Sequence, residues 1–239
     1  MNQTITVFVT LLFFVLSSFA TGQEKKDADG TGELKSLKQK ASYLVGFDIG
    51  EDVLRRELDV DYAILIRGFL DAVNKKNPPM TDAEMKSVMA AFEKQVAEKA
   101  NAKWKALART NLEQGIRFLN QNKLAEGVIQ LESGLQYRVI KAAEGGQPVN
   151  GQRVKIHVRG KHVDGKVFED TNERKQPISI TVGTTLRGLD EALRRMSVGE
   201  KWELYIPADK AFGQRGSPPA IGPNETLVYE VELIEIEKK

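Results

Sequence analysis

The chain contains no cysteine. Disulfides, thiolate metal sites, cysteine nucleophiles and a lipid anchor on an N-terminal cysteine are therefore excluded. Histidine is scarce, with His157 and His162 as the two copies. One stands on the polar face of an alternating segment and the other near a turn, with no third ligand beside them, so no metal site is expected. Charge of one sign is not in excess either. Lys plus Arg number 35 and Asp plus Glu 33, a formal net charge of +2 with acids and bases interleaved. A nucleic-acid footprint needs clustered Lys and Arg, so no nucleic-acid partner is expected. Neither Gly183-Thr-Thr nor Gly213-Gln-Arg-Gly216 precedes a helix in the way a phosphate loop does, and no cofactor is implied.

Long apolar runs are also missing. The one candidate, residues 5–19, is broken by Thr6, Thr10, Ser17 and Ser18. It falls short of the roughly 20 apolar residues that a membrane span requires. Ser18-Phe19-Ala20 has the small-x-small form of a cleavage site, and residues 1–22 read as a secretory signal peptide. The alternative is an uncleaved anchor. On the favoured reading the protein is exported, with no stable membrane insertion after cleavage. Residues 23–32 are polar and contain glycine, which reads as a disordered leader.

With 239 residues the chain can hold two modest domains, and its character changes near Asn122. Residues 33–80 read as two or three short helices. Tyr43, Phe47 and Leu54 recur at roughly helical spacing, and Asp59 or Asp61 can cap a helix carrying Ile64, Leu65, Phe69 and Val73. Asn77-Pro78-Pro79 breaks the chain. Thr81 and Glu84 then form the signature of a capping box ahead of Met85, Val88, Met89, Phe92 and Val96, which share one helix face. That pattern continues to about Leu119, so residues 81–122 read as a long connecting helix of roughly 60 Å. Residues 33–80 are too few to bury a good core alone, and a homodimer through this segment is expected.

After residue 127 the period becomes two. Val154, Ile156 and Val158 alternate with Lys155, His157 and Arg159. The same alternation marks Ile178 to Val182, Trp202 to Ile206 and Leu227 to Leu233, with a bulge expected at Leu233-Ile234. Leu189, Ala192, Leu193 and Met196 share one helical face. The fold class is α+β: a C-terminal twisted antiparallel sheet wrapped on one short helix, preceded by an all-α N-terminal domain.

Five stretches in order carry a resemblance: Gly134-Leu-Gln-Tyr-Arg-Val-Ile140, Val163-Asp-Gly-Lys-Val-Phe-Glu169, Leu189-Asp-Glu-Ala-Leu-Arg-Arg-Met-Ser-Val-Gly-Glu200, Ile206-Pro-Ala-Asp-Lys-Ala-Phe-Gly213 and Ile221-Gly-Pro-Asn-Glu-Thr-Leu-Val-Tyr-Glu-Val-Glu-Leu233. Residues 127–239 thereby resemble the FKBP-type peptidyl-prolyl cis-trans isomerases. The whole chain resembles the exported macrophage-infectivity-potentiator and FkpA subfamily, whose helical N-terminal domain dimerises. The resemblance implies isomerase activity on proline-containing polypeptide clients, in the periplasm or on the outer surface of a bacterium.

It also implies a site. Phe168 matches the pocket aromatic that follows the Asp164-Gly165 turn, and Tyr229 the aromatic of the last strand. Leu186 matches the residue whose backbone N–H receives the substrate carbonyl, and Ile221 a wall residue. Five positions depart from the family pattern: Val158 stands for a tyrosine, Glu169 for an aspartate, Ile178 for an aromatic, Leu189 for the tryptophan of the pocket floor, and Phe212 for a tyrosine whose hydroxyl reaches the ligand. Phe168, Glu169, Leu186, Phe212 and Tyr229 are the expected catalytic set, with Val158, Ile178, Leu189 and Ile221 binding substrate. Glu169 is expected to pair with a nearby cation at the rim. Each lost aromatic contact removes about 0.5–1.5 kcal/mol and the lost hydroxyl about 0.5–1.5 kcal/mol, so weak isomerase activity and poor macrolide binding are expected. The competing reading is a holdase chaperone or an interaction module with little catalysis.

Overall fold

The computed structural model describes residues 33–237. The expected signal peptide and leader lie outside the described residues. The chain divides into two units at Asn74/Lys75.

In the first unit Ser36 and Gln39 exchange hydrogen bonds, Gln39 N–H to Ser36 Oγ at 3.1 Å and Ser36 N–H to Gln39 Oε1 at 2.9 Å. This capping box starts α1, Leu37–Arg55. Asp61 accepts from the N–H groups of Ala63 and Ile64 and starts α2, Tyr62–Val73. Two helices therefore form where two or three were expected, and of the two candidate caps Asp61 is used. Their apolar side chains are largely uncovered. Val53 is buried, but Tyr43, Phe47, Leu54, Ile64, Leu65, Ile66, Phe69 and Val73 are exposed.

The second unit opens with the other capping box. Thr81 N–H donates to Glu84 Oε2 at 2.8 Å and Glu84 N–H to Thr81 Oγ1 at 3.3 Å. The helix that follows, α3, runs Asp82–Asn122, 41 residues or roughly 60 Å. Seven strands then form one antiparallel sheet: β1 (Val128–Gln130), β2 (Gln136–Lys141), β3 (Arg153–His162), β4 (Val167–Asp170), β5 (Ile178–Thr181), β6 (Lys201–Ile206) and β7 (Leu227–Ile236). Their order is β1-β2-β6-β7-β3-β4, and β5 shares the outer edge of β3 with β4. β3 is long enough for this, pairing β5 through residues 153–156 and β4 through residues 159–161. The register slips between Lys155 and Ile156 of β3, opposite Leu233 and Glu235 of β7, which is the bulge expected there.

One short helix, α4 (Arg187–Leu193), packs against the sheet. Leu193 and Met196 are fully buried with Val154, Ile156, Leu204, Ile206, Val231 and Leu233 in one core. Burying each such side chain contributes about 1.5–3 kcal/mol.

The C-terminal half of α3 lies on this unit. Asn111 Nδ2 donates to Pro223 O at 2.8 Å, and Asn224 Nδ2 to Ala108 O at 3.3 Å. Gln136 Nε2 donates to Leu119 O at 2.9 Å, and the ring of Phe118 meets Tyr205 at 5.9 Å. A Cβ at Gly115 would stand 2.2 Å from Thr226 Oγ1, so only glycine permits this approach.

Candidate active site

Directly paired residues of a sheet point to the same face. Glu169 of β4 pairs Gly160 of β3, Gly160 pairs Tyr229 of β7, and Tyr229 pairs Leu204 of β6. These four residues form one row on the face that carries the core. Gly160 leaves a gap in the row, and a Cβ there would stand 2.5 Å from Phe168 Cε2 and 3.0 Å from Tyr229 Cε1. Strand alternation alone would put Phe168 and Glu169 on opposite faces. The pairing slips between Gly160/Lys161 on β3 and Glu169/Val167 on β4, however, which makes Phe168 the extra residue of a bulge. Its ring therefore lies over Gly160 and meets Tyr229 edge-on, with centroids 5.6 Å apart at 80°.

The expected site residues divide by exposure. Val158, Leu189, Ile221 and Tyr229 are buried, between 2% and 7% exposed. Phe168, Ile178, Leu186 and Phe212 are partly buried and pack against the same core cluster. Buried apolar side chains with half-buried ones packed around them are what these residues form. Val158 and Leu189 belong to the hydrophobic core.

Leu186 is the N-cap of α4. Its carbonyl accepts from Asp190 N–H, while its own N–H donates to no acceptor among the described residues. Asp190 holds the preceding loop in place. Its buried carboxylate accepts from Gly183 N–H at 2.8 Å, Thr185 N–H at 3.0 Å and the Thr185 hydroxyl at 2.7 Å. Ile221, expected as a wall residue, is fixed by paired backbone hydrogen bonds with Ser217. Phe212 is the N-cap of a 3₁₀ turn at Gly213–Arg215, whose first carbonyl accepts from Asn224 N–H at 2.8 Å.

Two adjacent carboxylates end β4 on opposite faces of the sheet, Glu169 on the core-bearing face and Asp170 on the other. Glu169 has no ion-pair partner among the described residues, which corrects the expected rim salt bridge. The nearby arginine, Arg159, is one residue out of phase with Gly160 and so points to the opposite face. There its Nε lies 3.1 Å from Asp170 Oδ2. Burial pushes the Asp170 carboxyl up, but hydrogen bonds from the N–H groups of Asn172 and Glu173, with the Arg159 charge, outweigh it and hold the group below its ordinary value. Burial pushes the Tyr229 phenol up, and the Glu169 charge adds to this, so the hydroxyl keeps its proton.

The sequence reading passed over three residues that shape the site. These are Gly160, which opens the row, Asp190, which holds the Leu186 loop, and Thr171, whose hydroxyl accepts from Val158 N–H at 2.9 Å and donates to Val158 O at 3.1 Å. A glycine inside an alternating strand is a signal for the first. The other two act through contacts that only folding creates.

A sheet wrapped on one helix, with Phe168 meeting Tyr229 edge-on over Gly160, defines a class, and comparison with known proteins supplies it. Residues 144–234 match the family described as FKBP-type peptidyl-prolyl cis-trans isomerase, and residues 38–139 match the domain amino-terminal to it. The outer membrane protein MIP of Legionella longbeachae is 35% identical over 205 residues, covering 86% of this chain and 88% of that protein. The FKBP-type 22 kDa peptidyl-prolyl cis-trans isomerase of Escherichia coli is 36% identical over 207 residues, covering 86% and 98%. The crystal structure of FkpA from Escherichia coli superposes with a TM-score of 0.68 at 30% identity, covering 86% of this chain and 99% of that one. The chain belongs to the FKBP-type peptidyl-prolyl cis-trans isomerase family, and within it to the relatives that carry this amino-terminal domain. It is an isomerase of X-Pro peptide bonds. No helix among the described residues is long and apolar enough to cross a membrane.

Proposed function

We propose that the hollow built on Phe168, Tyr229, Leu186, Phe212 and Glu169, floored and walled by Val158, Leu189, Ile178 and Ile221, is where an X-Pro bond turns, and that it does so at a reduced rate. The barrier is electronic, because rotation breaks amide resonance, and uncatalysed exchange takes tens to hundreds of seconds. No nucleophile is needed. The site must hold the prolyl ring, exclude water and favour the twisted amide over the planar one. The twisted amide is less polar, which suits the apolar floor. The carrying observation is the Leu186 N–H at the start of α4, which has no acceptor among the described residues and would serve as a donor for a substrate carbonyl. Phe212 offers no hydroxyl, and Ile178 and Leu189 offer no ring, so roughly tenfold or more in rate is lost at about 1.4 kcal/mol per factor of ten. Isomerisation of a Pro-containing peptide, followed by NMR exchange with Phe168→Ala as control, tests this. A rate matching a fully aromatic FKBP overturns the weakening, and equal rates for both proteins overturn the site.

The same reading takes residues 1–22 as a signal peptide and residues 33–80 as a homodimerisation domain joined by residues 81–122 to the isomerase domain at 127–239. Clients are then folding polypeptides of the bacterial periplasm or outer surface. The support for dimerisation is the row of exposed apolar side chains on α1 and α2, which a small unit leaves uncovered only at a cost. That same surface favours a second reading, a holdase that captures unfolded chains there. Suppression of client aggregation that persists in Phe168→Ala while isomerisation is lost would assign that activity to the helices.

A further inference from the structure

Resting on the reading of the hollow as the isomerase site, we propose that His162 is a positioning residue. Through Glu225 it couples the loop braced by α3 to the pocket aromatic Phe168.

His162 ends β3 and pairs Leu227, so it lies on the core-bearing face two residues beyond Gly160. Its Nδ1 is 2.5 Å from Glu225 Oε2. A carboxylate oxygen accepts, so Nδ1 carries the proton. The imidazole meets the Phe168 ring edge-on, with centroids 5.1 Å apart at 65°. One side of His162 is thus hydrogen-bonded and the other fixes the aromatic that crosses Gly160. The pair is largely withdrawn from water, at 16% and 21% exposure, which strengthens a charge-assisted hydrogen bond over a surface one.

Glu225 is shared. Its second oxygen, Oε1, accepts from Gly222 N–H at 2.9 Å, and Gly222 follows the pocket wall residue Ile221. The same short loop is held from outside by α3. Asn111 donates to Pro223 O, Asn224 donates to Ala108 O, and Gly115 lies against Thr226. Asn111, Gln114 and Gly115 on α3 bound a cavity of about 150 Å³ together with His162, Asp164 and Glu225. A continuous set of contacts therefore runs from α3 through residues 222–226 and Glu225 to His162, Phe168 and Tyr229. Loosening α3, or cutting the Glu225–His162 link, frees Phe168 to leave the hollow.

The test uses the full chain and a Pro-containing peptide. His162→Phe keeps a ring against Phe168 but has no Nδ1, and Glu225→Ala removes the shared carboxylate. Each should lower kcat/KM about fivefold to tenfold, mainly through KM. The double variant should lose no more than the worse single one, because both cut one link. Glu225→Gln can still accept from Gly222 N–H and donate to a neutral imidazole, so it should recover to within about threefold of wild type. Asn111→Ala should weaken activity in the wild-type background and have no further effect in Glu225→Ala. Thermal melts confirm that each variant is folded at the assay temperature. Wild-type kcat/KM in His162→Phe, losses that multiply in the double variant, or no recovery in Glu225→Gln would each overturn the coupling. If Phe168→Ala is itself fully active, the assignment of the hollow fails instead.

Discussion

Phe168 and Gly160 occupy one space: the phenyl edge lies where a side chain of the strand residue would stand, 2.5 Å from the position of its Cβ. Gly160→Ala must push the ring aside or stay strained. An overpacking cost of about 1–3 kcal/mol is expected in stability. Because the proposed site uses Phe168 as its aromatic, kcat/KM should fall by about tenfold or more. Urea unfolding read beside peptide isomerisation checks both. An alanine variant with unchanged kinetics would show that Phe168 is not needed in this position.

In the proposed site, Phe212→Tyr supplies a hydroxyl for the bound substrate. One added hydrogen bond to substrate contributes about 0.5–1.5 kcal/mol, a rise of about twofold to tenfold in kcat/KM. The same assay with Phe168→Ala should show a loss of at least that size. A Phe212→Tyr enzyme that is no faster would place residue 212 away from the substrate.

Asp170 sets an acid limit to stability. Its folded carboxyl is held below the ordinary value of 3.8 by the Asn172 and Glu173 N–H groups and by Arg159, against the upward push of burial. As pH falls below 3.8 the unfolded chain takes up this proton first. The stabilisation is complete above that value and is lost as pH falls through the folded one. The melting temperature should therefore drop below about pH 4. In Asp170→Asn the neutral-pH value should be lower and the acid slope shallower. An unchanged slope would show that the group does not titrate differently on folding.

The exposed side chains of α1 and α2 should be covered by a second copy. Phe69→Asp places a charge in that surface and should convert a dimer of constant mass into a monomer by sedimentation velocity, with peptide isomerisation kept. A wild-type chain that sediments as a monomer at every concentration would remove the dimer.

Much of the architecture can be read from residue order alone. Val154, Ile156 and Val158 mark β3 by their period of two, and Leu189, Ala192, Leu193 and Met196 mark α4 by their spacing. Thr81 and Glu84 announce the start of α3 because a capping box is a contact between near neighbours. The bulge at Leu233-Ile234 was visible as a break in alternation. The bulge at Phe168 was not, since the segment from Val167 to Asp170 is too short for one apolar doublet, Val167-Phe168, to stand out against an established alternation. Only the register against β3 shows which of them is extra.

The order of amino acids by itself determined where β3, β5, β6, β7 and the helices form, where α3 begins, and that cysteine chemistry plays no part, because these follow from interactions within a few residues or from composition. The tertiary structure alone decided that Phe168 and Glu169 share a face, that Asp190 fixes the Leu186 loop, and that His162 meets Glu225, 63 residues away. Such pairings carry no local periodicity. They exist only once sheet register and the docking of α3 have brought distant parts of the chain within hydrogen-bond reach.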